Sequence, residues 1–358
     1  MSYRIPIGPY HIALEEPYKI EVECEGEKVV GSSLKVGFNF RGIEWLAQRK
    51  NTTQSIALLE RVCGICSNVH SMCFCMSLES IGNIEVPERG QHIRMVMAEL
   101  ERLHSHLLWA GIASELIGFE TLFMQIFRLR EAVMDTLESI SGNRVNYSMN
   151  RIGGVNRDIQ DQGKIRQMAR DIRAVTEGSL IPLLTTDKTV LARCRGVGVL
   201  TRKDAFAYGA VGPVARASGL DIDLRRDRPY LAYGKIDFAV PVQSAGDVLA
   251  RVVVRALEVV ESCKIIDQVL DQMPEGAIHG GDVYSVPAGD AVVRIEAPRG
   301  EVFYYLASDG SDTAARVKVR TPSFANIPAV AAMVKGSDLA DVPLIQAAVD
   351  PCYSCTDR

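Results

Sequence analysis

The sequence has no run of about eighteen uncharged apolar residues, so no membrane-spanning helix is expected. The longest candidate, Val248 to Val260, is interrupted by Arg251, Arg255 and Glu258. The opening Met1-Ser2-Tyr3-Arg4-Ile5-Pro6 has no apolar stretch of the kind a secretory signal needs. Positive charge is not in excess either: the formal net charge is −4, which gives no reason to expect nucleic-acid binding. There is no internal repeat and no low-complexity linker. The nine cysteines are an odd number, which argues against a disulfide framework and for metal ligands plus a few inert buried thiols. What is present is a chain of 358 residues, 47% apolar and 23% charged, long enough to bury a large core.

The pattern along the chain predicts an α+β fold, mainly α, with a central bundle of long helices and small peripheral β-sheets. We expect one domain over 1–358, with a β region at 1–50, a helical core at 51–285, and a β region with the C-terminal metal-binding segment at 286–358. Ile20-Glu21-Val22-Glu23-Cys24 alternates like a strand, and Lys28-Val29-Val30 resumes the pattern after Gly26. Pro87 opens a helical pattern through Met95, Leu100, Leu103 and Leu107. Further helices are expected near 122–140, 157–177, 245–273 and 341–349. Two strands, 291–296 and 301–306, flank the turn Ala297-Pro298-Arg299-Gly300, and Arg316 to Arg320 alternates as a third.

Two cysteine pairs stand near opposite ends, Cys63-Gly-Ile-Cys66 and Cys352-Tyr-Ser-Cys355. Thiolates are soft ligands that select zinc, nickel, iron–sulfur or copper(I) over magnesium and calcium. By residue chemistry alone, two such pairs most often hold structural zinc. Three features count against zinc. The pairs are separated by most of a large domain that needs no metal staple. Arg61 and His70 flank the first pair. Asp350, Pro351 and Arg358 flank the second. Charged groups beside thiolates tune a reactive metal, and an inert site has less need of them.

The segments Arg61-Val62-Cys63-Gly64-Ile65-Cys66-Ser67-Asn68-Val69-His70 and Asp350-Pro351-Cys352-Tyr353-Ser354-Cys355-Thr356-Asp357-Arg358 resemble the two signature motifs of the nickel–iron (NiFe) hydrogenase large subunit. Phe40-Arg41-Gly42-Ile43-Glu44 and Glu296-Ala297-Pro298-Arg299-Gly300 resemble further segments of that family. Gly8-Pro9-Tyr10-His11, Arg102 to Trp109, Arg151 to Val155, Arg216 to Gly219 and Ser308 to Ser311 resemble the quinone-module subunit of respiratory complex I. A complex-I-like body with intact hydrogenase cysteines is similar to the energy-converting, membrane-bound hydrogenases of the Ech, CO-induced and formate-hydrogenlyase types.

The resemblance implies a catalytic large subunit that interconverts H2 with two protons and two electrons. Cys63 and Cys352 would be terminal nickel ligands, and Cys66 and Cys355 would bridge nickel and iron. The iron would also carry one CO and two cyanides. Arg299 would stand over the open face with Arg61 as a second source of positive charge, Ser323 would hydrogen-bond a cyanide, and His70 would support the ligands through a hydrogen bond. Asp350 would bond backbone or an arginine beside the cluster. Cys352 would accept the proton and pass it to Glu15. Many relatives end their second motif in histidine, which with a glutamate like Glu44 helps to hold magnesium. Arg358 stands there instead. A guanidinium cannot ligate a cation, so the magnesium is open, Arg358 is the alternative fixed charge, and Glu44 would either pair with that arginine or serve in proton transfer. Cys24, Cys194 and Cys263 read as buried apolar thiols, and His11, His104 and His106 as packing or interface groups.

No iron–sulfur motif remains once the four ligands are assigned, so electrons would leave through a partner. The implied partners are a small subunit with a 4Fe–4S cluster, further iron–sulfur and integral membrane subunits, ferredoxin and maturation proteins. The implied place is the cytoplasmic side of the cell membrane, peripherally held. The rival readings are a non-catalytic complex-I-type coupling subunit, with zinc or nothing on its cysteines, and a stand-alone zinc-stabilised binding protein.

Overall fold

Alternating apolar residues at the N-terminus pair into an antiparallel sheet of β1 (Ser2–Ile7), β2 (Lys19–Glu25) and β3 (Lys28–Lys35). β2 buries Ile20, Val22 and Cys24 and leaves the residues between them in contact with solvent, the period of two seen in the sequence. The computed structural model of the chain describes residues 2–11, 14 and 16–358.

The period then changes to that of helices: α1 (Ile43–Ala47), α2 (Thr52–Glu60), α3 (Ser67–Gly82), α4 (Glu88–Leu116), α5 (Glu120–Ser141) and α6 (Gln162–Val175). Pro87 is the N-cap of α4, and α5 stops at Gly142, whose φ of 80° suits a residue without a Cβ. α4 is buried on nearly every side from Arg89 to Leu107, because α5 and the helix Val248–Gln272 pack against it. Between α5 and α6 lies a two-stranded ribbon, β4 (Asn150–Arg151) with β5 (Gly154–Val155). The stretch from 176 to 227 forms short helical pieces that periodicity does not predict, since none is long enough to show a repeating apolar face.

The second sheet is antiparallel, β6 (Gly289–Ala297), β7 (Gly300–Ser308) and β8 (Ala314–Arg320), and it packs on α3. The result is α+β and mainly helical, as the pattern predicts. Its hairpin tip, Pro298-Arg299, meets the chain at Gly212, where a Cβ would sit 2.4 Å from the Arg299 carbonyl oxygen. Gly212 has a φ of 63°, and no other residue gives both this conformation and this approach.

A network of buried ions fixes the same hairpin from behind. Arg216 pairs with Glu258 at 2.9 Å and Glu296 at 2.8 Å, and Arg225 pairs with Asp223 at 2.7 Å and Glu99 at 3.1 Å. Arg102, on α4, donates to the carbonyls of Glu296 and Ala297 at 2.7 and 3.1 Å. A buried ion left unpaired is costly, so these groups tie β6 to α4 and to the helix Val248–Gln272.

His104 is buried on α4, and its Nδ1 accepts from Arg130 Nε at 3.1 Å. Burial, reinforced by Arg130, holds its pKa near 3 against an ordinary 6.5. Below 6.5 the unfolded chain takes up a proton that the native one refuses, so stability is lost as pH falls from 6.5 towards 3. We expect a contribution of about 2 kcal/mol to be missing at pH 5. Urea midpoints measured from pH 7.5 to 5 should fall, and less steeply for His104→Gln.

Candidate metal centre

Each cysteine pair begins a helix, and both do so in the same way. Cys66 is the N-cap of α3, and the amides of Ile65 and Cys66 donate to Cys63 Sγ at 3.2 and 3.5 Å. Cys352 is the N-cap of the helix Tyr353–Asp357, and its Sγ accepts the Cys355 amide at 3.3 Å. Amides at a helix start favour negative sulfur. The two turns face each other. Cys63 Sγ lies 3.3 Å from Cys352 Sγ, and Cys66 Sγ lies 3.3 Å from Cys355 Sγ. The sulfurs of Cys63, Cys66 and Cys355 are all within 4.8 Å of one another. All four cysteines are buried.

Four thiols this close share their protons. Contacts with the sulfurs of Cys352, Cys355 and Cys66 hold the Cys63 thiol well below its ordinary value. Cys66 is pushed up, chiefly by Cys352, and Cys355 is pushed up by burial. Removing the remaining protons needs a cation in their place, and a buried all-sulfur donor set suits a soft metal. The other five cysteines, Cys24, Cys73, Cys75, Cys194 and Cys263, are buried and free. Burial pushes Cys194 up to about 12, in keeping with an inert thiol.

Around the sulfurs the structure brings together most of the flanking residues singled out in the sequence. Arg299 is buried, donating from Nε to the Asp350 carbonyl at 2.9 Å and from Nη2 to Asp350 Oδ1 at 2.7 Å. Burial works against its charge, but Asp350 and then the sulfurs of Cys352, Cys66 and Cys63 outweigh it and keep the guanidinium protonated. Its Nη1 is buried with no hydrogen-bond partner among the described residues. Asp350 adopts a φ of 56°, rare for a residue with a Cβ, and turns the chain into the second pair. Ser323 Oγ accepts the Cys352 amide at 2.9 Å, which leaves its own O–H to donate elsewhere. His70 sits between Tyr304 Oη at 2.9 Å and Cys355 Sγ at 3.5 Å. Burial lowers its pKa to about 4, so it is neutral.

Arg61 is not brought to the sulfurs. It is exposed and donates to the Ala57 carbonyl at 2.7 Å, because the last turn of α2 carries it outward. Glu15 lies outside the described residues. Its neighbour Glu16 accepts from the amide of Ser354 at 3.1 Å and from the amide of Tyr353, capping the second helix. Arg41 donates to the carbonyls of Arg61, Val62 and Ser354 at 3.0, 2.8 and 2.8 Å, and so clamps the two motifs together. Tyr18 stacks on Tyr353 with ring centroids 4.1 Å apart. No spacing rule exposes these tertiary supports; Arg41 alone falls in a segment that already stood out.

Glu44 pairs with Arg358, one of the two roles open to it in the sequence. Its Oε1 accepts from Arg358 Nε at 2.8 Å and from the Val319 amide at 3.0 Å, and its Oε2 pairs with Lys318 Nζ at 2.9 Å. Two fixed positive charges already face this carboxylate, so a magnesium ion does not fit beside it. Partial burial raises its pKa, yet Lys318 and Arg358 outweigh that and keep it lowered. Arg358 also donates from Nη1 to the Thr356 carbonyl at 2.6 Å. We expect Arg358→Ala to destabilise the fold by about 1–3 kcal/mol. Thermal melting with and without EDTA should show this loss in the variant and no chelator effect in the parent.

Four buried cysteines from distant parts of one α+β chain make a donor set that suits a soft metal, and comparison with known proteins specifies the family. A family model described as nickel-dependent hydrogenase matches residues 41–110, and one described as the 49 kDa subunit of respiratory-chain NADH dehydrogenase matches 117–284 and 281–358. The chain is 42% identical to the carbon monoxide-induced hydrogenase of Rhodospirillum rubrum, covering 100% of this chain and 99% of that protein. It is 40% identical to the membrane-bound hydrogenase subunit alpha of Pyrococcus furiosus, covering 99% of this chain and 87% of that protein. Among solved structures, a chain of the membrane-bound sulfane sulfur reductase, an archaeal respiratory membrane complex, superposes with a TM-score of 0.93 at 34% identity, covering 100% of this chain and 98% of that one. The chain therefore belongs to the NiFe-hydrogenase large-subunit family, in the energy-converting membrane-bound group related to the quinone-module subunit of complex I. Its relatives are subunits of membrane-bound complexes, and among the described residues no helix is long and apolar enough to cross a membrane.

Proposed function

We propose that this chain is the catalytic large subunit of an energy-converting NiFe hydrogenase, interconverting H2 with two protons and two electrons. The observation that carries the reading is the set of four buried cysteines, joined first to first and second to second, with the buried Arg299 beside them. Cys63 and Cys352 would hold nickel terminally, and Cys66 and Cys355 would bridge it to an iron bearing one CO and two cyanides. When bound, that centre supplies heterolytic H2 cleavage and a store for the electrons. Four thiolates and two cyanides on two divalent metals leave a charge of about −2, which a buried cation must offset. Arg299 supplies it, held in place by both of its bonds to Asp350. The free Ser323 hydroxyl hydrogen suits a cyanide nitrogen, as the resemblance implies. Cys352 Sγ takes the proton, and Glu15 is the proposed next carrier.

Electrons would pass through a small subunit with a 4Fe–4S cluster and further iron–sulfur subunits to or from ferredoxin. Integral membrane partners would couple this to ion translocation, with the chain on the cytoplasmic face and maturation proteins inserting the metals. The match of 117–358 to the 49 kDa subunit favours one alternative, a coupling subunit whose cysteines hold zinc or nothing. The complex purified through this chain should reduce ferredoxin with H2 or evolve H2 from reduced ferredoxin. A complex active with its electron partners but inert towards H2 in both directions would overturn the reading and leave the alternative.

A further inference from the structure

Two buried carboxyl groups near the first cysteine pair have no part in the chemistry above. Glu101, on α4, is fully buried and accepts from the amides of Asn68 and Val69 at 2.6 and 3.2 Å, in the first turn of α3 just after Cys66. Glu60, at the end of α2, is 1% exposed and accepts the Ser148 amide at 2.9 Å. Neither forms an ion pair among the described residues, whereas the buried Glu79 and Glu258 each bind an arginine, at 2.6 and 2.9 Å. Tyr147 is also buried, within electrostatic reach of Glu101, Glu60 and Cys63, and its hydroxyl has no hydrogen-bond partner among the described residues.

These groups lead outward. Glu60, Ser71, Ser148 and Asn150 line an open cleft of about 380 Å³ between α2, α3 and the ribbon β4–β5. Behind it Asn150 Nδ2 donates to Asn68 Oδ1 at 2.8 Å and to Ser71 Oγ at 3.0 Å. Asn150 Oδ1 and Asn68 Nδ2 are buried without partners among the described residues, as is the Tyr147 hydroxyl. Orphaned polar atoms of this kind are where bridging water sits.

We propose that Glu101, Tyr147 and Glu60 form a proton route between the four-cysteine site and this cleft, separate from the one that begins at Glu15. In each passage a proton arriving at a Glu101 oxygen displaces one that passes, through bridging water and the Tyr147 hydroxyl, to a Glu60 oxygen. Glu60 releases it to water in the cleft, and no electrons move. The simpler account of Glu101 is a cap on α3, a role best filled by an ionised carboxylate. Burial instead outweighs the Asn68 and Val69 amides and raises the pKa of Glu101 well above the usual carboxylate range, and it raises that of Glu60 as well, against the Ser148 amide and Arg61. Both are thereby suited to holding a proton.

This route rests on the hydrogenase reading, so its test is built to separate the two. Glu101→Gln keeps an acceptor for the α3 amides and removes the exchangeable carboxyl proton. Because the Glu15 route runs in parallel, the test is made in the intact complex carrying Glu15→Gln. There we expect D2–water isotope exchange to fall at least about tenfold when Glu101→Gln or Glu60→Gln is added, with partial recovery in Glu101→Asp. In metal-free protein, the infrared band of a protonated carboxyl, shifted by D2O, should be present in the parent and lost in Glu101→Gln. Exchange in the Glu15→Gln complex that is absent or that Glu101→Gln leaves undiminished, or a carboxyl band that the substitution leaves unchanged, overturns the route alone. No exchange in the parent complex overturns the hydrogenase reading and the route with it.

Discussion

Cys66→Ser protein is expected to carry no nickel–iron centre and to neither consume nor evolve H2. A serine alkoxide is a hard ligand with no tendency to bridge two soft metals, and Cys66 Sγ lies in the closest contact of the second-cysteine pair, 3.3 Å from Cys355. The same substitution at Cys73, buried seven residues further along the helix, should leave metal content intact. Metal analysis and H2-dependent dye reduction, measured on the parent and both variants, check this. A fully active Cys66→Ser protein would contradict the bridging role. The fold itself should persist in Cys66→Ser, because α3 is held by its packing on the second sheet and by the Glu101 cap.

Arg299→Leu is expected to be the most damaging change away from the cysteines. It removes the buried cation beside the four sulfurs, which the hydrogenase reading needs to offset the cluster's charge, and leaves Asp350 buried and unpaired. Breaking a buried pair from one side costs about 3–5 kcal/mol, and losing a positioned charge at a reacting centre costs about 100-fold or more in rate. Arg299→Lys keeps the charge but cannot make both contacts to Asp350, so it should fall between. Combining Arg299→Leu with Asp350→Asn separates the two effects. The double variant should recover most of the lost thermal stability and none of the lost H2 activity. Recovery of both would show that Arg299 serves the fold alone.

The parts of this site that were legible in the sequence are those whose chemistry is local. A CxxC spacing can place two sulfurs on one metal, and the asymmetric flanks with Asp350 and His70 pointed beyond zinc. The pairing of Glu44 with Arg358 followed from the charge at the chain's last position. Arg61 shows how proximity in sequence misleads, since two residues before Cys63 is still the last turn of α2, which points it into solvent. Arg41 and Glu16 clamp the second motif from more than 300 residues away, and that distance is closed only by the tertiary fold.

Strands and long helices followed their periods closely, from the alternation of β2 to the Pro87 start of α4 and the Gly142 stop of α5. The buried charges did not. Arg216, Glu258, Glu296 and Arg225 look like surface residues by composition, yet they neutralise one another inside the core and hold the hairpin that presents Arg299. The short helices from 176 to 227 were hidden for the opposite reason, being too brief to show any period.

The central claim is that these four cysteines hold nickel and iron, and it is tested most directly on the purified complex by metal content together with infrared spectroscopy. The account predicts nickel and iron in equal amounts at this subunit, with bands of metal-bound CO and cyanide that vanish in Cys66→Ser. Zinc alone, with no such bands, would contradict it.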